Sequence, residues 1–167
     1  MHPTLTALNL LVLVELMLCG CAIFGVKGET LQRAKNYNVT VPSSWTAQTS
    51  NQESDRAFKT STGNTATLTS SCEQKAGMSL EVLTRHLLLG ARNTVFLKEE
   101  SHTVSGEEGR YSSVKTTLEG SKFFLEIFVL KRNACVFDFT LVSNKEIPIK
   151  EQGEFVSFFK SLSYGNN

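Results

Sequence analysis

Two carboxylates, Glu126 and Asp138, sit inside two apolar, alternating stretches of the chain, KFFLEIFVLK and CVFDFTLVS. Two carboxylates on one half-apolar sheet face could act as a general acid/base pair. No His or Ser is tied to either by motif or spacing, so a partly wet sheet face or pairing with a nearby Lys or Arg is the competing account. Cys72 and Cys135 form the second candidate set, each at the end of an apolar alternation. In an exported chain two inward-facing thiols pair readily. Closing a loop of about 60 residues would then stabilise the fold by roughly 4 kcal/mol. Two free buried thiols are the alternative. No CxxC motif or local basic cluster is present to lower a thiol pKa, which argues against redox catalysis. His86 and His102 belong to no HExxH or related pattern, so neither a metal nor a cofactor is expected. These residues predict a protein that is not an enzyme.

The N-terminus supplies the compartment. From Leu5 to Leu18 the chain is mostly Leu and Val, too short a run to span a bilayer, which takes about 20 residues. It suits the apolar core of an export signal. The run ends in Leu18-Cys19-Gly20-Cys21, which resembles a bacterial lipobox. The resemblance implies cleavage after residue 20, a diacylglycerol on the sulfur of Cys21 and attachment to a membrane, stable when more than one acyl chain is present. Ala22 in place of Asp resembles the sorting signal of outer-membrane lipoproteins, so the domain is expected to face the periplasm. The organisation expected is a signal at 1–20, a lipidated Cys21 with a tether to residue 36, and one domain at 37–164. A formal net charge of +1 argues against nucleic acid as a partner and against polybasic attachment to anionic lipids.

The elements that must position the candidates follow from periodicity. Strands are predicted where Tyr37, Val39 and Val41 alternate before Pro42, and at residues 55–60, 65–72, 94–104, 109–118, 122–131 and 134–143. A helix begins after Ser79, a suitable N-cap, and stops near Gly90. Phe155, Phe158, Phe159 and Leu162 recur at helical spacing and define a core-facing terminal helix. Between the last two long strands a three-residue turn, Arg132-Asn133-Ala134, keeps one sheet face wholly apolar. That register sets Glu126 across from Thr140 and Asp138 across from Phe128, with both carboxylates on the second face.

The fold class expected is α+β: a mostly antiparallel sheet of about six to seven strands carrying two main helices. The element order resembles the PsbP-like fold, which includes the DcrB-like lipoproteins. The segments LEVLTRHLLLGARN, NACVFDFTLVS and EFVSFFKSL are similar to those of small bacterial envelope lipoproteins. The resemblance implies a location and a fold, and no catalytic residues. Two roles are compatible with it. One is a membrane-anchored module that binds an envelope protein or assists assembly. The other is an accessory of an envelope transporter that binds a small apolar ligand or lipid, for which the eleven Phe would line a cavity.

Overall fold

The computed structural model describes residues 32–49, 54–72 and 77–164. The signal, Cys21 and the tether up to residue 31 lie outside the described residues. Nine strands and two helices follow in the order β1 (Tyr37–Asn38), β2 (Thr46–Gln48), β3 (Arg56–Lys59), β4 (Thr65–Cys72), α1 (Leu80–His86), β5 (Arg92–Val104), β6 (Glu107–Leu118), β7 (Ser121–Arg132), β8 (Cys135–Ser143), α2 (Ile149–Lys160) and β9 (Ser163–Tyr164). Seven strands make one antiparallel sheet in the order β2-β3-β4-β8-β7-β6-β5, and β1 pairs with β9. The fold is α+β, as the element order implies.

Alternation along β7 divides the core in two. Phe128 and Leu130 join Phe137, Phe139 and the α2 residues Phe155, Phe158 and Phe159. Ile127 and Val129 join Val114, Val136 and Leu83 of α1. Successive side chains of a strand point to opposite faces, so α1 and α2 cover opposite sides of the sheet. On the α2 side Phe128 stacks on Phe159, ring centroids 3.9 Å apart. Gly109 makes room for that stack: a Cβ there would fall 2.2 Å from the Phe128 ring.

The helices start and stop for local reasons. The Ser79 hydroxyl accepts from the Val82 N–H and caps α1. The predicted helix runs to Gly90, whereas α1 ends at His86. Beyond it the chain tightens, with Leu87, Leu88 and Leu89 donating to the carbonyls of Thr84, Arg85 and His86, before Gly90 turns away at φ +84°. Such three-residue bonds are common at helix ends. Strand β2, fully exposed, carries no alternation and is absent from the sequence-based expectation. Strand β1 covers only Tyr37 and Asn38, although Val39 and Val41 still pack on the core.

The last stretch of the expected tether is laid against the domain. The Cys72 N–H donates to the Gln32 carbonyl, the Ala34 N–H to the Ser70 hydroxyl and the Arg33 guanidinium to the Ser70 carbonyl. Asp55 gathers this corner. It accepts from the Tyr37 and Ser70 hydroxyls and pairs with Arg33 at 3.3 Å.

Candidate functional site

Strands β7 and β8 carry the sequence-predicted residues, and their turn decides where those residues point. Arg132 pairs with Cys135, so the turn is the two residues Asn133 and Ala134, both at positive φ. The three-residue turn is not what forms. Glu126 lies opposite Leu141 instead of Thr140, and Asp138 opposite Val129 instead of Phe128. Two-residue turns of this kind match the right-handed twist of paired strands. The demand for one wholly apolar face also has no force here, because helices cover both faces. Side chains directly opposite share a face, so Glu126 lies on the α2 side and Asp138 on the α1 side. The expected shared polar face does not exist, and no acid/base pair can form from these two groups.

Glu126 is 2% exposed. Its carboxylate accepts from the Tyr111 hydroxyl at 2.6 Å and from the Ser113 hydroxyl at 3.1 Å. Burial pushes its pKa up, only partly opposed by those hydrogen bonds and by Lys98. Tyr111 is in turn held far above the ordinary phenol range by burial and by its bond to Glu126. Both carboxylate oxygens are engaged, so this unit closes a polar gap in the core. Asp138, 6% exposed, stands between Val129 and Thr69 in the register. His102 sits among the rings of Tyr111, Phe128 and Phe159 with Nε2 3.4 Å from Glu100. Lys98, 2.9 Å from Glu100, holds that carboxyl below the usual range. Among the described residues no three His, Cys, Asp or Glu side chains meet to hold a metal ion. Cys72 and Cys135 are directly opposed on β4 and β8 and form a disulfide, as their placement at the strand ends implies.

Among the described residues, two of the concave features border the covering helices. A largely apolar cleft of about 180 Å³ opens on the α1 side, lined by Leu87, Leu88, Leu89 and Ala91, by Thr116 and Leu118 and by Phe123, Leu125 and Val142. Leu89 is 73% and Leu118 43% exposed at this cleft. In the tight turn after α1, Leu87 and Leu88 still pack on the α1-side core while Leu89 stands exposed. The sequence signal for this cleft is the run Leu87-Leu88-Leu89, one leucine more than an amphipathic helix needs. The other feature, an open groove of about 690 Å³, runs between Thr40–Pro42 and α2 and is mixed in character, with Lys150 and Glu154 beside Val41. No described helix is long and apolar enough to cross a membrane.

No protein-family model matches the chain, and no curated protein matches it in sequence. Solved structures do. LpqN of Mycobacterium tuberculosis, a protein involved in cell envelope biogenesis, is 6% identical with a TM-score of 0.58 over 82% of this chain and 86% of its own. A protein of Bacteroides thetaiotaomicron VPI-5482 is 12% identical with a TM-score of 0.52, and this chain, 78% covered, spans only 45% of it. PsbP of the cyanobacterium Synechocystis sp. PCC 6803 is 14% identical with a TM-score of 0.57, covering 84% of this chain and 96% of that one. At these identities the likeness concerns architecture, and the architecture is the PsbP-like fold.

Proposed function

We propose that the chain is a non-enzymatic accessory of the bacterial cell envelope, anchored by lipid on Cys21 and holding a protein partner at the cleft beneath residues 87–91. The observation that carries this reading is the cleft, lined mostly by aliphatic side chains of which Leu89 and Leu118 are exposed. Contiguous exposed apolar surface around a concavity marks an interaction site, whereas scattered apolar residues do not. At about 180 Å³ the cleft suits one or two side chains of a partner. Small-molecule sites run to about 300–1,000 Å³, which weighs against the apolar-ligand alternative. The separation of Glu126 and Asp138 supports a non-enzymatic role. The architecture shared with LpqN, and LCGC followed by Ala22, support an envelope lipoprotein facing the periplasm from the outer membrane.

A photoreactive amino acid at position 89, introduced in the producing cell, tests the partner reading. The expected result is a discrete protein adduct that is absent when the same group replaces exposed Glu108. Recovery of only lipid or small-molecule adducts at position 89 would sink the protein reading in favour of the apolar ligand. For the anchor, Cys21→Ser should move the protein out of the membrane fraction. Unchanged membrane association would refute lipidation at that residue.

A further inference from the structure

The chain carries almost no net charge, yet the fold gathers cations at one corner of the sheet. On the α2 side, successive rows across β5, β6 and β7 read Arg92–Thr117–Lys122, Val95–Lys115–Phe124 and Lys98–Ser113–Glu126. Opposed residues share a face, and the placement is visible in the side chains: the Lys115 ammonium lies over the Phe124 ring and that of Lys98 over the Tyr111 ring. Arg92, Lys98, Lys115 and Lys122 are all exposed. Lys98 pairs with Glu100. Among the described residues Arg92, Lys115 and Lys122 form no ion pair. The other carboxylates at this corner are Glu126, buried and bonded to Tyr111 and Ser113, and Glu119 in the β6–β7 turn. In the row of Lys115 the edge strand presents Val95, 53% exposed, and at the irregularity before Lys98 it exposes Leu97, 57%.

From this geometry we infer that the β5–β7 corner is a docking platform for a membrane surface bearing anionic lipid headgroups. Charge complementarity selects an anionic partner, since the cations outnumber the carboxylates that face them. The exposed aliphatic Val95 in the row of Lys115 selects a bilayer interface, where headgroups meet the ammonium groups and this side chain reaches the acyl boundary. An acidic protein segment would satisfy the charges and leave that side chain in water. A pleated sheet holds these groups at fixed spacing, so docking orders no loop. This surface is distinct from the apolar cleft, and its role does not depend on what fills that cleft.

Vesicle flotation of the full-length protein is the test, with phosphatidylcholine vesicles as the neutral reference and phosphatidylglycerol added for charge. If the chain does not float with neutral vesicles, the lipid-anchor reading fails and flotation with anionic vesicles reads the platform directly. If it does float, the protein is reconstituted into neutral vesicles and their cross-linking to a second, anionic population is followed by light scattering. In either case docking should require phosphatidylglycerol and fade between 0.1 and 0.5 M salt, roughly the range over which the Debye length falls from about 10 Å toward 3 Å. Each cation near an anionic surface contributes about fivefold in affinity. The Lys115→Glu/Lys122→Glu protein should therefore dock at least about 25-fold more weakly while keeping its melting temperature. Equal docking to neutral and anionic vesicles, or no loss in the doubly substituted protein, overturns the proposal. So does binding to polyglutamate without binding to anionic vesicles, which would assign the corner to an acidic protein.

Discussion

At the scale of single residues, Glu126 is the most consequential group in the sheet. Its folded pKa lies above the unfolded one because burial outweighs its hydrogen bonds. As pH rises from the unfolded value toward the folded one, the unfolded chain releases this proton while the folded chain keeps it. Stability therefore falls through that window and levels off above it. Glu126→Gln keeps an acceptor for Tyr111 and offers a donor to Ser113 without a charge to bury. Denaturant unfolding at pH 5 and pH 8 should show the variant gaining on wild type as pH rises, with the larger advantage at pH 8 and the gap closing at pH 5. A gap independent of pH would mean that Glu126 does not carry the effect. Gly109 is constrained by space. Gly109→Ala forces its Cβ into the Phe128 ring, which is itself stacked on Phe159. A loss of about 1–3 kcal/mol is expected from that overpacking, read as a lower midpoint with an unchanged denaturant slope.

At the scale of elements, β4 and β8 are held by their ladder and by the Cys72–Cys135 bridge, which spans a sequence separation of 63. Cross-linking a loop of that length removes unfolded-state entropy equivalent to roughly 4 kcal/mol in the chain model. The Cys72→Ala/Cys135→Ala protein should lose about 2–4 kcal/mol and should no longer respond to reductant, whereas wild type treated with dithiothreitol should approach it. Identical unfolding of wild type with and without reductant would argue against the bond. The β7–β8 hairpin shows how an element overrides a pattern. A purely apolar face is a sound rule for a sheet covered on one side. Here α1 and α2 cover both sides, and the Asn133-Ala134 turn sets the register that suits strand twist.

At the scale of the whole molecule, the two sheet faces serve different ends. The α2 side carries the larger aromatic core. On the α1 side a seven-residue helix is too short to cover its face, and the cleft opens beside it. Leu89 contributes little to that core, being 73% exposed. Leu89→Glu should therefore shift stability by less than about 0.5 kcal/mol while abolishing capture of the partner in a cross-link placed at position 118. Loss of folding in this variant would show that Leu89 is structural.

Much of this was legible in the sequence because it rests on local periodicity. The two-residue alternation of Thr65–Cys72, the helical stripe of Phe155, Phe158 and Phe159 and the Ser79 cap each act over a few residues and formed as read, while Leu162, read as the end of the stripe, packs on the core just beyond the helix. The cysteine pairing was legible too, since both thiols end inward-facing alternations. What only the tertiary structure decided was which face each strand residue meets and what covers it. A change of one residue in a hairpin turn reverses the pairing parity, and no local pattern specifies that parity once both faces are apolar. That single step put Glu126 and Asp138 on opposite sides of the sheet. Long-range strand order likewise brought Arg92, Lys115 and Lys122 into one corner of a chain whose overall charge conceals them.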